Sequence, residues 1–403
     1  MHKNYKRIRF FILNIIRILL GKLLNCLIKR DENIFLFSCN PGQTGDIFLH
    51  NTKYFYLYLN FVNKLKIKTV WLTNNNFMLE KLNNIGLKDV YTRNSLKGIY
   101  YALKAKYWFT DYLMSDTTYS ILSSNAVGIN LWHGTGGLKK CGIDDDIHCN
   151  KLSYWIKNLY EKLRVKDSFF NVDSVHEIPF RVSAFNIKDN QIVINGSPRL
   201  DVLYKDFPNS EMLMEEDFHK IKELKELGKK LFFYVPTFRD TKKNISSWLK
   251  SKTLDDFLTQ NNAVLVCKLH PFDTNSLNSN LSNNFYKMNS NSDLYTVLKY
   301  MDAMISDYSS VSFDFLLLDK PIIYHVPDFE EYQEQCRGFY EPYETLTAGV
   351  KTRTEDEIIN AMQDVINGID NYKDDRKRLR DQTFKYQDGK NCERVIDWIK
   401  SLG

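Results

Sequence analysis

Short apolar runs alternate with helix-forming stretches along most of the chain, and this alternation narrows the possible folds more than any other feature. After "NIFLFSC", the first half offers "KTVWLT", "DVYT", "YWFTD", "VGINLW", "SFFNV" and "QIVING". The second half offers "LFFYVPT", "AVLVCKLH", "FYKM", "AMISD" and "PIIYHV". Continuous apolar runs of this length read as strands buried on both faces, and strands that alternate with helices build parallel sheets. Between the two series lies the polar "FPNSEMLMEEDFHKIKELKELGKK", the kind of connection expected between two domains. A chain of 403 residues exceeds what one core usually supports. The expected fold class is α/β, with two Rossmann-like domains over residues 31–210 and 211–403 facing a cleft.

Residues 1–30 stand apart. They carry Lys3, Lys6, Arg7, Arg9, Arg17, Lys22, Lys29 and Arg30 with no acid. The formal charge of the whole chain is +6, so the other 373 residues sum to −2. The body is thus no basic nucleic-acid binder, and no nucleic-acid partner is expected. Ile12, Ile16, Leu19, Leu20, Leu23 and Leu27 recur at helical spacing, which predicts a basic amphipathic helix. Its apolar runs fall far short of the ~20 residues a membrane-spanning helix needs. It is expected to lie on an anionic membrane surface, each basic residue contributing about 1 kcal/mol there. Two other readings are a signal peptide, which Arg17 interrupts, and a helix packed on its own protein or on a partner. Seven cysteines without a CxxC pair disfavour a disulfide framework or a zinc ribbon and fit a reducing compartment.

Chemistry concentrates where strands end. "NLWHGTGGLKK" places His133 on a glycine-rich turn after a strand, the side of an open α/β sheet where ligands bind. "VLVCKLHPF" places His270 at the end of a strand in the other half. Either histidine is a candidate general base, or simply bonds a nearby carbonyl. In "AMISDYSSVSFDFLLLDKPIIYHV", Asp307, Ser309 and Ser310 sit between a strand and a helix, a position that suits phosphate or a plain N-cap. Arg199, Arg239, Lys268 and Arg337 follow strand-like segments, and arginine forks match phosphate. Together these groups point to an anionic nucleotide donor. No GxGxxG supports a dinucleotide site, and no GxSxG supports a serine hydrolase. Asp144, Asp145 and Asp146, near His148 and Cys149, mix hard and soft ligands and read as a solvated loop rather than a metal site.

In order across residues 131–344, "LWHGTGGLKK", "GSPRLD", "VPTFRD", "KLHP", "SDYSSVSFDFLLLDKPIIYH" and "RGFYEPYE" resemble the CDP-glycerol glycerophosphotransferase family, which includes teichoic-acid polymerases and primases and related capsule enzymes. That family commonly has "HGTPLK" where this chain has two glycines before the leucine. The resemblance implies a GT-B-like fold and transfer of a polyol phosphate from CDP-glycerol or CDP-ribitol to a hydroxyl, with release of CMP. It implies a membrane-linked glycan or polyol-phosphate acceptor, an acceptor-side domain over 31–210, a donor domain over 211–403, and work at the cytoplasmic membrane face. His133 would be the general base and His270 would assist the donor phosphates. Arg239, Ser309 and Ser310 would hold the diphosphate, with Gly134, Thr135, Arg199, Lys268, Asp307 and Arg337 as further substrate-binding residues. The resemblance names no resident cofactor and leaves Mg²⁺ dependence open. The alternatives are a GT-B glycosyltransferase using a nucleotide sugar and a catalytically silent membrane scaffold.

Overall fold

The computed structural model describes residues 16, 19–24, 27–38, 41–42, 45–46, 48–63, 65–112, 120–145, 147, 167–206, 216–237, 239, 247–269 and 282–402. Seven strands form the first sheet: β1 (Asp31–Ser38), β2 (Lys68–Thr73), β3 (Val90–Thr92), β4 (Ala105–Thr110), β5 (Val127–Asn130), β6 (Asp167–Val172) and β7 (Ile192–Ile194). Their order is β3-β2-β1-β4-β5-β6-β7, parallel throughout. The second sheet comprises β8 (Lys230–Val235), β9 (Ala263–Cys267), β10 (Phe285–Lys287), β11 (Ala303–Ser306), β12 (Ile322–His325) and β13 (Val350–Thr352). Its order is β10-β9-β8-β11-β12-β13, again all parallel. Both are doubly wound sheets that reverse direction beside their first strand, between β1 and β4 and between β8 and β11. Ligand crevices open at the carboxyl ends of strands at such points.

Sequence dictates this directly. Every residue of β9 is buried, as is Ile34–Ser38 of β1, because helices cover both faces of each sheet. Phe37 lies between Trp71 and Phe109, parallel to each, at centroid distances of 6.1 and 4.7 Å. Burying each such ring contributes roughly 1.5–3 kcal/mol. The helices that bear on the site are α1 (His50–Phe61), α2 (Ile178–Phe185) and α3 (Val311–Leu316). Farther along, α4 (Glu355–Ile366) begins with a full capping box: Thr354 caps the Glu357 N–H, and the Glu357 carboxylate accepts from the Thr354 N–H.

The last helix, α5 (Asn391–Ser401), returns to the first domain. The backbone N–H groups of Asn391 and Cys392 each donate to the Asp201 carboxylate at 2.9 Å, and Trp398 packs edge-on against Phe169. By contact, this helix therefore belongs with the first sheet. Further links join the domains. Lys139 and Phe339 form an antiparallel bridge, with the Lys140 N–H donating to the Gly338 carbonyl at 2.8 Å. Lys53 pairs with Asp293 at 2.7 Å, and Arg199 with Asp314 at 3.1 Å.

Most of residues 1–30 lie outside the described residues. Residues 19–24 are helical, and Leu19, Leu20 and Leu23 are exposed. Among the described residues no helix is long and apolar enough to cross a membrane.

Candidate active site

The turn after β5 is built by residues far away in sequence. Trp132 adopts a left-handed backbone, φ 57°, which an aromatic residue rarely does. Asn51, wholly buried at the start of α1, holds that turn by donating to the carbonyls of Leu131 and Trp132 at 2.8 and 2.9 Å. The Asn51 side-chain oxygen accepts the Arg199 N–H at 2.9 Å. One amide thus joins three loops.

His133 follows, and its Nδ1 lies 2.8 Å from the Asp111 carbonyl. A carbonyl only accepts, so Nδ1 carries the proton and Nε2 keeps its lone pair. Tyr112 stacks on the ring at 4.5 Å and Trp132 covers it at 4.3 Å. Desolvation pushes the imidazole pKa down to about 4; the Asp111 carbonyl opposes this and the Arg199 charge adds to it. At neutral pH the ring is therefore an uncharged, oriented base. The Asp111 carboxylate, buried and raised to about 7 by desolvation, accepts from the backbone N–H and hydroxyl of Thr52. Asp111 thus fixes His133 through its carbonyl while its carboxylate is fixed by α1.

The glycines make the turn fit its surroundings. A β-carbon on Gly134 would lie 3.2 Å from the Ser310 hydroxyl, so the histidine turn of one domain touches the serine loop of the other. The pair Gly136–Gly137 answers to packing. Gly136 has φ 72° over the Phe313 ring, and a β-carbon on Gly137 would fall 2.2 Å from the ring of Phe180. Thr135, between Gly134 and Gly136, is buried and donates to the Asp173 carboxylate at 3.1 Å.

The charged groups expected to face ligand are engaged within the chain. Arg199 is wholly buried: Nε donates to the Tyr295 hydroxyl at 2.8 Å, and Nη2 reaches Thr135 Oγ1 at 2.5 Å and Asp314 at 3.1 Å. Arg239 pairs with Asp328 at 2.7 Å and Asp307 at 2.9 Å, donates to the Thr237 carbonyl, and lies beside the stacked rings of Tyr308 and Tyr332, 4.7 and 4.9 Å from their centroids. Asp307 also accepts the backbone N–H groups of Thr237 and Tyr308. Lys268 donates to the carbonyls of Asn289 and Ser290. Arg337 is exposed and pairs with Asp145 across the domains at 3.0 Å. Ser309 and Ser310 remain half-buried at the surface, and the Ser310 hydroxyl makes no capping bond to α3. His270 lies outside the described residues. So do Asp146, His148 and Cys149, while Asp144 bonds Ser183 and Tyr340. Among the described residues no three His, Cys, Asp or Glu side chains converge as a metal site.

Sequence reasoning passed over His50, Asn51, Thr52 and Asp111. The one available signal was the acid that ends the strand-like "YWFTD".

The chain matches the profile of the CDP-glycerol:poly(glycerophosphate) glycerophosphotransferases over residues 22–401. It belongs to that family. The teichoic acid glycerol-phosphate primase of Bacillus subtilis (strain 168) is 29% identical over 310 residues, 76% of each chain. The teichoic acid poly(glycerol phosphate) polymerase of Bacillus spizizenii is 28% identical over 401 residues, covering 92% of this chain and 93% of that one. Among solved structures, the wall teichoic acid polymerase TagF superposes with a TM-score of 0.75 at 20% identity, over 100% of this chain and 98% of that one. The GT-B-like architecture expected of this glycerophosphotransferase is therefore the one it has, two parallel-sheet domains across a cleft.

Proposed function

We propose that this chain moves a polyol phosphate from a CDP-polyol to an acceptor hydroxyl, releasing CMP, in the synthesis of a teichoic-acid-like polymer. One observation carries the chemistry: an imidazole pinned through Nδ1, which leaves the lone pair on Nε2, stands on a turn that touches Ser310 of the other domain. In this reading Nε2 of His133 takes the acceptor's hydroxyl proton. The freed oxygen attacks the phosphorus that bears the polyol. A new O–P bond forms, the bond from that phosphorus to the bridging oxygen breaks, and the electron pair leaves with CMP. Phosphoryl transfer depends mainly on positioning and charge stabilisation, which suits a site with one base and a preorganised loop. Ser309 and Ser310 hold the diphosphate from the second domain, and His270 assists there.

Arg199 and Arg239 act in this reading as framework, because carboxylates of the chain already hold their guanidinium groups. The acceptor is membrane-linked. Residues 1–30, with eight basic groups, no acid and exposed Leu19, Leu20 and Leu23, hold the enzyme on the anionic cytoplasmic membrane face.

The test is incubation with CDP-glycerol and with CDP-ribitol, following CMP release and product mass together. CMP release with a mass gain of one or more polyol-phosphate units is expected from one of the donors. Release of a nucleoside diphosphate, or no turnover of either donor, overturns the reading.

A further inference from the structure

A second imidazole stands beside the base. His50 opens α1, and its ring lies 5.6 Å from that of His133, tilted by 49°. Its only other ring neighbour among the described residues is Tyr112, at 6.2 Å. Among the described residues no hydrogen bond or ion pair engages either ring nitrogen, and the side chain is half-buried. Its backbone is left-handed, φ 63°, after a fully extended Leu49. A residue other than glycine holds that conformation only where its surroundings over-determine it, and such residues cluster at functional sites.

The surroundings here are specific. Asn51, next in sequence, grips the carbonyl of Trp132, which precedes His133. Thr52 grips the carboxylate of Asp111, whose carbonyl grips the His133 ring. Two consecutive residues therefore set where His50 stands relative to the base. This is the preorganisation that a pair acting on one molecule requires.

We infer that His50 and His133 together read an acceptor with two adjacent hydroxyls, His133 at the attacking one and His50 hydrogen-bonding its neighbour. The inference rests on the transferase reading above. The chemistry of His50 favours a hydroxyl over a phosphate. Desolvation, then the neighbouring His133, hold its pKa down to about 3, so the ring is uncharged. An uncharged imidazole offers one donor and one acceptor, the complement of a hydroxyl, whereas phosphate is best met by cations. A vicinal diol, as at the end of a glycerol or ribitol phosphate chain, places its oxygens on adjacent carbons. Two rings this close can meet both.

The experiment compares two acceptors: a short glycerol phosphate oligomer, and the same oligomer with its terminal 2-hydroxyl replaced by hydrogen. The wild-type enzyme is expected to prefer the diol by about tenfold in kcat/KM, the effect of one hydrogen bond to a substrate hydroxyl. His50→Asn keeps a residue that tolerates the left-handed backbone but shortens the reach, and should bring the preference close to unity. His50→Gln should restore part of it. CDP-glycerol affinity by calorimetry should be the same in all three, which a merely structural role for His50 would not predict. A tenfold preference that persists in His50→Asn, or a wild-type enzyme indifferent to the missing hydroxyl, overturns the inference while leaving the transferase reading intact. No CMP release by the wild-type enzyme takes down both.

Discussion

Arg199 is the residue whose expected and observed roles differ most, and its removal separates them cleanly. A donor ligand should, when truncated, lose donor affinity and little stability. The structure gives a different expectation. Arg199 and Asp314 are 0% and 1% exposed and come from opposite domains. Truncating one partner of such a pair leaves the other charge buried and costs about 3–5 kcal/mol. In Arg199→Ala the stranded Asp314 retains the Tyr295 hydroxyl at 2.6 Å. One hydrogen bond of about 1 kcal/mol does not offset the lost cation. For domains of roughly 200 residues, each kcal/mol moves the unfolding temperature by about 2–4 °C, so a fall on the order of 10 °C is expected.

The assay is differential scanning calorimetry of Arg199→Ala, Asp314→Ala and the double variant Arg199→Met with Asp314→Leu. The double variant removes both charges and fills their volume, so it should recover more than half of the loss from either single change. Donor affinity measured below the transition should be largely retained in all three. If Arg199→Ala melts within about 2 °C of wild type while losing donor affinity tenfold or more, the framework argument is refuted and the guanidinium belongs to the ligand.

Four further outcomes are expected. His133→Ala should lower kcat by ~10² to 10⁴ with donor affinity retained, as stopped or continuous CMP-release assays would show. In the wild-type enzyme, protonating Nε2 removes the lone pair. His133 itself should therefore titrate only toward about 4, well below the ordinary imidazole value of about 6.5, as its imidazole NMR signals would show; a His133 midpoint near 6.5 would contradict the assigned environment. Gly137→Ala drives a methyl group into Phe180 and should destabilise by about 1–3 kcal/mol, with Phe180→Ala restoring part of the loss in thermal melts. Deleting residues 1–30 should abolish co-sedimentation with anionic vesicles while donor turnover on a soluble acceptor persists.

The fold was legible because parallel strands covered on both faces leave a continuous apolar signature, as "AVLVC" and "IFLF" do. β13 was not, since Val350–Thr352 is three residues with a lysine at its centre. His133 could be found from the chain alone because a histidine on a glycine-rich turn after a strand is a local pattern. His50, Asn51 and Thr52 could not. The helix they open carries no side-chain cap, and what they hold lies 59 to 148 residues away. The paired arginines misled for a related reason. Sequence shows a cation at the end of a strand but hides the carboxylate facing it: Asp314 sits inside the apolar run "SFDFLL", and Asp328 in "HVPDFEEY".

Framework arginines still act on the chemistry, through their field. The charges of Arg199, Arg181 and Arg337 all press the His133 pKa downward, adding to desolvation and opposing the Asp111 carbonyl. Arg199 and Arg181 are buried, where such fields are weakly screened. Arg199 and Arg337, which pair across the domains, therefore also help to keep the base unprotonated, and the two effects are linked. Arg199→Met alone, assayed below its lowered transition, removes one of these charges without touching the imidazole or its Asp111 bond, whereas the double variant also removes the opposing Asp314 charge. The acidic limb of the kcat/KM profile should then move upward from about 4 toward the ordinary histidine value, while the rate at neutral pH, where the ring is uncharged either way, changes little. A limb that stays in place would mean that the Arg199 charge does not reach the base, and that Arg199 serves only to join the domains.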